Sequence, residues 1–463
     1  MSLGPQNPRL SKNEISPNQD LIEIFDASAG TMKVVTPSSL GEAIPTGSLK
    51  IDGDTIDGTL RYIVDKDGTQ SPLKLSTDRL GIDADPTVTL QQVAVIESLT
   101  TNAGIVLKPN GTGAIMAQVP DGTTAGGNAR GVYAVDLQMG RTNSTQVAGG
   151  RFDVIAGGEN NFISIHNDGH RFIGSGYQNA ITIAGSSVIA GGSQNSISGP
   201  PSAFSTISGG QSNTASTNTH ATVVGGYLNT ASGQYSVAGG LSNTASGRES
   251  CAIGGRNNVT SGTASATLGT QYSSALNSCS AVIGAFNSRT ESNYSAIIGG
   301  DLGRTYLLGQ VATGVRFSDG QRAQSSMVQA YNEQALSSGG TMNLSLDGTG
   351  ITNLIGTPGG SFTRNVTVKW IAVCKSAGSG TTVAKETAIG TDVFMFRYDT
   401  ATITPYISAI TSVQSFAEAS MTGATCSYSA SSSNLIITFT APSTANNTTF
   451  KVLAKVELVE IQL

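Results

Sequence analysis

Between about Val147 and Thr305 the chain restates one phrase: VIAGGENNFIS (Val154 to Ser164), VIAGGSQNSIS (Val188 to Ser198), TISGGQSNTAS (Thr206 to Ser216), TVVGGYLNTAS (Thr222 to Ser232) and SVAGGLSNTAS (Ser236 to Ser246). Its second glycine falls at Gly158, Gly176, Gly192, Gly210, Gly226, Gly240 and Gly255, at successive separations of 18, 16, 18, 16, 14 and 15 residues. The position then reads Thr270 and Ala285 before glycine returns at Gly300, with the spacing held at 15. Three residues after each clear copy stands an asparagine: Asn161, Asn179, Asn195, Asn213, Asn229, Asn243 and Asn258. A unit this short cannot bury a face alone, so the copies must stack and share a core.

Each copy offers a short β-branched strand, a Gly-Gly turn, an asparagine and a second small or apolar position. That is one coil of a narrow parallel solenoid with two strands per turn. The glycines supply positive φ or close backbone approach at a corner. The asparagine column suits a corner where each amide bonds the chain and the next amide above.

Two strand columns bear on oligomeric state. Ile155, Ile173, Ile189, Ile207, Val223 and Val237 form one. Ala156, Gly174, Ala190, Ser208, Val224, Ala238, Ile253, Leu268, Ile283 and Ile298 form the next. Adjacent strand residues point to opposite faces, so one column fills the coil and the other faces outward, growing more apolar toward its end. An exposed Ile/Leu ladder on a single chain invites aggregation, and burial around a three-fold axis removes it. A third column, Ile163, Ile181, Ile197, Ala215, Ala231 and Ala245, shrinks where the outward one grows, and volume compensation at one interface is expected.

Composition agrees with an all-β chain. Charged residues are 12% and aromatics 6%, with 57 glycines among plentiful Val, Ile and Thr, and glycine does not recur at every third position as collagen requires. A net charge of -5 gives no footprint for nucleic acid, and no apolar run spans a bilayer. The start lacks an apolar leader segment, so export by signal peptide is not expected. Cys251, Cys279, Cys374 and Cys426 are far apart and read as buried free thiols.

Outside the repeat, Asp-Gly at 52–53, 57–58 and 67–68 punctuates alternating strands as hairpin turns, which is favoured over calcium binding by Asp52, Asp54 and Asp57. From about residue 326 longer strands appear: Val366 to Cys374, Val393 to Asp399, Thr402 to Ile410, Asn434 to Thr440 and Phe450 to Ile461. Five such strands between Gly/Ser/Asn loops argue for a jelly-roll-like β-sandwich, with Trp370 in its core. The insert HNDGH holds His166, Asp168 and His170 and reads as a protruding loop in preference to a metal site.

The S-V-A-G-G…N-T-A-S-G phrase is similar to the head repeat of trimeric autotransporter adhesins, which implies a left-handed parallel β-roll that exists only as a trimer. The same roll resembles those embedded in phage fibres. The segment Asn102 to Gln138 resembles stretches that precede such rolls in phage structural proteins, while Leu21 to Ile44 and Ser71 to Ile82 resemble recurrent phage-fibre phrases. The resemblance is to phage structural proteins of the tail-fibre or head-fibre type. It implies a homotrimeric tail fibre or non-enzymatic tailspike, assembled in the host cytoplasm, that docks by its N-terminus and presents a receptor-binding C-terminal tip for host adsorption.

The organisation expected is a virion-attachment segment at 1–48, small β connector units at 49–146, the β-roll shaft at 147–305, a neck at 306–325 and a sandwich tip at 326–463. Expected partners are two further copies of the chain, a tail, baseplate or capsid protein at the N-terminus, and a host surface glycan or protein at the C-terminus, with no nucleic acid, membrane insertion or cofactor. Tip contacts are expected at Ser376, Gly378, Ser379, Ser431 and Asn446, in small exposed polar loops. From Phe172 to Gly247 there is no Asp, Glu, Lys or Arg, and no nucleophile, zinc or phosphate-loop motif occurs. The chain is therefore expected not to be an enzyme. The alternatives are a head-fibre, whisker or collar decoration without receptor role, a polysaccharide depolymerase with an inter-subunit site, and a bacterial surface adhesin.

Overall fold

The computed structural model describes strands at 22–26, 31–35, 50–51, 61–64, 70–75 and 80–82. From residue 107 to 462 it describes all but 110, 166–168, 183–184, 200–203, 217–219, 317–321, 348–361, 400–403 and 432–433. The chain divides into two units, Met1–Val106 and Leu107–Leu463. In the first, Ile22–Asp26 pairs antiparallel with Thr31–Val35. Lys50–Ile51, Arg61–Val64, Gln70–Leu75 and Leu80–Ile82 form an antiparallel four-stranded sheet. The three Asp-Gly turns lie outside the described residues.

The second unit contains the stack of coils. Each coil is too short for long strands, and most contribute two or three residues to each of two parallel sheets. The first sheet begins at Ile115–Met116, passes through Val135–Asp136 and Val154–Ile155, and continues to Val311–Arg316. The second has ten strands, from Phe162–Ile163 to Arg304–Thr305. The chain is thus all-β with a parallel β-solenoid shaft.

Between the sheets lies a dry interior one side chain deep. The first sheet supplies Ile155, Ile173, Ile189, Ile207, Val223, Ala238, Ala252, Thr267, Val282 and Ile297, all fully buried. The second faces it with Ile163, Ile181, Ile197, Ala215, Ala231, Ala245, Thr260, Ala275, Thr290 and Thr305. Two expectations need correction. Ala238, expected in the outward column, points inward, because the strand register pairs it with Val223 and Ala252, while Val237 pairs with Thr222 and Cys251. The Ile163-to-Ala245 column lies inside the coil, on the opposite side of the wall from Val224 and Ile253, so the two share no interface in which to exchange volume.

The seven corner glycines all have positive φ. A Cβ on Gly226 (φ +103) would sit 2.0 Å from the carbonyl oxygen of Gly240 in the next coil, so the corner is closed by backbone. The residue ahead of each asparagine (Asn160, Gln178, Gln194, Ser212, Leu228, Ser242 and Asn257) is also left-handed without being glycine. Such a conformation costs free energy and persists where surrounding hydrogen bonds determine it.

After Val311–Arg316 the chain reverses and Arg322–Leu336 pairs antiparallel with it, so the first sheet runs on without a break. The order continues through Thr448–Gln462, Phe362–Ser376 and Thr387–Asp399, the last paired with Thr404–Ile407 and Thr411–Ala417. A separate antiparallel sheet contains Thr341–Leu344, Asn434–Thr440 and Thr425–Ser431. Alternating side chains from both meet in one core, where Phe439 packs edge-on to Trp370 at 6.4 Å and against Phe450 at 5.6 Å.

Replacing a rung of the asparagine column tests the stacking directly. Asn213→Ala leaves the partly buried carbonyls of Gly209 and Gly226 and the buried N–H of Asn229 without their side-chain partner. A loss of about 3 kcal/mol or more is expected, read as a lowered urea midpoint of the shaft transition, against under about 1 kcal/mol for an exposed serine-to-alanine control.

Candidate functional site

Each asparagine of the column is fully buried at its corner. Asn195 is representative. Its Nδ2 donates to the carbonyls of Gly191 at 3.0 Å and of Gly210, in the next coil, at 2.9 Å. The same Nδ2 donates to Asn179 Oδ1 at 3.1 Å, and its own Oδ1 accepts the backbone N–H of Asn213 at 3.0 Å. Gln138, which the repeat spacing did not reveal, starts the ladder by accepting the N–H of Asn161 at 2.9 Å. Ser273 and Ser288 continue it past Asn258. These residues hold the shaft together and present nothing to a ligand.

The outer face of the first sheet is a different surface. One outward column reads Val154, Phe172, Val188, Thr206, Thr222, Val237, Cys251, Ala266, Ala281, Ala296 and Val311 by strand register. The second runs Gly239, Ile253, Leu268, Ile283 and Ile298. Neither contains a charged residue. Ile253, Leu268, Ile283 and Ile298 stand 36%, 37%, 40% and 54% exposed, a contiguous apolar ladder of the kind a lone soluble chain avoids. The outer face of the second sheet carries Phe162, Ala180, Ser196, Thr214, Thr230, Thr244, the exposed Val259, Ser274, and then Arg289 and Arg304, both within ion-pair distance of Glu291.

Charge is buried at both ends of the shaft. Arg171 grips Asp153 through two hydrogen bonds, Nε at 3.0 Å and Nη2 at 2.8 Å, with both side chains out of solvent. Burial still pushes the Asp153 carboxyl above the usual carboxylate range. Asp136 is held by Arg130 at 2.8 Å and Arg141 at 3.4 Å. At the other end Glu460 accepts from Arg364 Nε at 2.6 Å and from the Tyr306 hydroxyl at 2.9 Å, with Arg322 at 3.8 Å. Burial and then the Glu460 charge drive the Tyr306 hydroxyl far above its ordinary pKa, keeping it a donor. No sequence motif marks either cluster, although Asp153 and Arg171 lie one coil length apart.

The expected tip-contact residues fall into two places. Ser379 N–H donates to the Asn446 carbonyl at 3.0 Å, and Asn446 Nδ2 donates to Ser379 Oγ at 2.6 Å. Gly378 lies so close that a Cβ would meet the Asn446 carbonyl at 1.8 Å. Ser376 opens the same cluster, paired with Thr449. Ser376, Gly378, Ser379 and Asn446 therefore form one loop pair, fastened beneath by Thr382 and Thr444, whose hydroxyls are 3.0 Å apart. Ser431 is at the far end of its strand, since Thr425 pairs with Thr440 and Ser431 with Asn434, and its side chain lies outside the described residues. So do His166 and Asp168, while His170 stacks on Phe152 at 4.9 Å. Cys279 is exposed, in contrast to the buried thiol expected, because it occupies a corner of its coil.

No protein-family model matches the chain, and neither does any curated protein. Solved structures similar to it include the tailspike protein of Acinetobacter phage vB_ApiP_P1, 8% identical, covering 75% of this chain and 79% of that one at a TM-score of 0.22. The tailspike of Acinetobacter baumannii phage AM24 is 7% identical over 95% and 91%, at 0.24. The tailspike gp49 of Acinetobacter baumannii bacteriophage Fri1, a capsular polysaccharide depolymerase, is 10% identical over 75% and 72%, at 0.17. This likeness assigns no residue of the chain a role. It does correct the expectation that the chain is not an enzyme: one of these tailspikes is a depolymerase, so missing motifs are no ground for excluding enzymatic activity.

Two substitutions check the geometry. Asn446→Ala removes the side-chain tie to Ser379, and limited proteolysis is expected to cut within residues 376–382 several-fold faster while the melting temperature stays nearly unchanged. Asp153→Ala strands a buried guanidinium and is expected to cost about 3–5 kcal/mol, read as loss of the shaft's thermal transition at its wild-type temperature.

Proposed function

We propose that this chain is the homotrimeric fibre or tailspike of a phage virion, docked through residues 1–48 and meeting the host surface with its C-terminal region. The observation that carries this reading is the pair of uncharged outward columns on the first sheet, one running through eleven coils from Val154 to Val311 and the other ending in the exposed ladder Ile253, Leu268, Ile283 and Ile298. Three chains packed by that face around a common axis bury it, leaving the serine, threonine and ion-paired face of the second sheet in water. A narrow solenoid so assembled is stiff and long, which suits a part that must hold a binding end away from a particle.

The two C-terminal sheets form, in this reading, a jelly-roll-like sandwich tip, with Ser376, Gly378, Ser379 and Asn446 as one contact loop pair per chain. Small exposed hydroxyls and amides suit hydrogen bonding to a host surface glycan. Three weak sites on one rigid support gain avidity through effective concentration.

Sedimentation of the full chain is expected to give three times the 47.2 kDa subunit mass. Ile283→Asp is expected to shift the population to single chains, because a buried unpaired carboxylate on each subunit costs several kcal/mol. A folded, soluble single chain in the wild type would overturn the reading. Deleting residues 326–463 is expected to abolish adsorption of the fibre to host cells, and unchanged adsorption would remove the tip from the host contact. Incubation with host capsule then reads the chemistry: released oligosaccharides identify a depolymerase, and retained intact polysaccharide identifies a binder.

A further inference from the structure

The antiparallel C-terminal sheet has one face against the core and one face open, and the open face is not uniformly polar. Strand register lines up Tyr331 with Leu453, Leu453 with Ile371, Ile371 with Ile389 and Ile389 with Phe416. These five residues make one apolar stripe across five strands, about 19 Å long at the usual inter-strand spacing. Tyr331, Ile371, Leu453 and Phe416 are all exposed, Phe416 by 57%.

Charge flanks the stripe on both sides. On one side Glu333 pairs with Lys375 and, at 3.6 Å, with Lys451. On the other Glu457 pairs with Lys369 at 3.3 Å and Lys455 at 2.9 Å. An apolar centre with a charged rim is the anatomy of a protein–protein contact. The two ends of the stripe differ in shape. One end is a depression of about 460 Å³ lined by Tyr331, Glu333, Ile371, Val373, Lys451 and Leu453. The other is the projecting ring of Phe416.

The occupant is identified by continuity. Val311 pairs with Met327 across the junction between the shaft strand and the C-terminal sheet, so the outer face of the shaft and the face bearing the stripe are one sheet face, with the Glu457, Lys369 and Lys455 cluster lying between them. A shaft that packs on sister chains by this face turns the stripe toward them as well. Around a three-fold axis each contact is heterologous, one end of a patch meeting the other end of the same patch on the next chain. We propose that the stripe is the C-terminal contact with a second copy of this chain, with Phe416 of one copy seated in the depression beside Tyr331 of the next. The proposal rests on the trimeric reading and extends it from the shaft to the C-terminal region.

The test uses the full chain with the photo-crosslinker substitution Phe416→benzoylphenylalanine. Irradiation is expected to give a covalent band at twice the subunit mass, with the linked peptide mapped to residues 331–333, 371–373 or 451–453. The second substitution Leu453→Glu is expected to lower that yield by tenfold or more while the shaft's sedimentation stays that of three chains. A wild-type chain that sediments as a single subunit fails the trimeric reading itself. Three-chain sedimentation with no link between copies, or a link formed instead to added host polysaccharide, overturns the stripe as a self-contact and leaves the trimeric shaft standing.

Discussion

Everything in the shaft depends on how one coil hands its backbone to the next at the glycine corner. The carbonyl of the following coil occupies the space a side chain would need, as the 2.0 Å approach at Gly226 shows. The asparagine amide reaches two carbonyls per corner: that of Gly209 in its own coil and that of Gly226 in the next, which also accepts the backbone N–H of Gln211. Glycine and asparagine are two halves of one constraint. With Thr270 and Ala285 in place of glycine, the column continues as Ser273 and Ser288, and when glycine returns at Gly300 the column ends at Gly303, whose N–H donates to Ser288 Oγ. Ser273 Oγ accepts the next N–H and stands 3.1 Å from the Gln271 carbonyl and 3.4 Å from that of Ala285 in the next coil, but it has one proton to give where the amide has two.

The interior shows where stability moves along the shaft. Early coils of 16 to 18 residues enclose pairs of isoleucines; the 14- and 15-residue coils enclose alanines at Ala231, Ala238, Ala245 and Ala252. Replacing isoleucine by alanine forgoes roughly 2 kcal/mol of burial at about 0.8 kcal/mol per methylene. Later 15-residue coils enclose Val282 and Ile297 again, so the alanine stretch is local to the middle of the shaft. On the outer face the opposite happens, as Ala190 and Ser208 give way to Val224, Ile253, Leu268, Ile283 and Ile298. The exposed ladder from Ile253 to Ile298 stabilises nothing until it is covered. That uncovered ladder is the physical argument behind the proposed packing of chains on this face.

The period, the corner glycines and the asparagines were readable in the sequence because seven corners in succession use the same two residue types at nearly fixed spacing. The strand register through Val237 was not, because the glycine is a poor anchor there. Val223 lies three residues before its glycine and Ala238 only two before its own, so aligning on glycine shifts the strand by one and exchanges inside for outside. The fully buried serines Ser187, Ser205, Ser236, Ser250, Ser265, Ser280 and Ser295 each stand two residues before an inward position and would have set the register correctly. The loop pair joining Ser379 to Asn446 was visible only as two polar segments 67 residues apart. An active site assembled from distant strands or from neighbouring chains would leave no local motif either, so motif search alone does not answer the enzymatic question.

The junction between shaft and C-terminal sheet is the least readable part and decides how the ends communicate. Tyr306 follows the last strand of the second sheet, whereas Glu460 is 154 residues further along, in the final strand. Their bond, with Arg364 and Gln324 completing the cluster, ties the shaft's polar sheet to a strand of the C-terminal sheet. The pairing of Val311–Arg316 with Arg322–Leu336 ties the apolar one. Both sheets of the solenoid therefore grip the C-terminal sheet. A hinge needs at least one free attachment, and a buried carboxylate shared by a tyrosine and two arginines loses too much by opening. The orientation of the Ser376-to-Asn446 loops is accordingly set by the last coils of the shaft, so whatever symmetry the shaft adopts is imposed on the surface that lies beyond it.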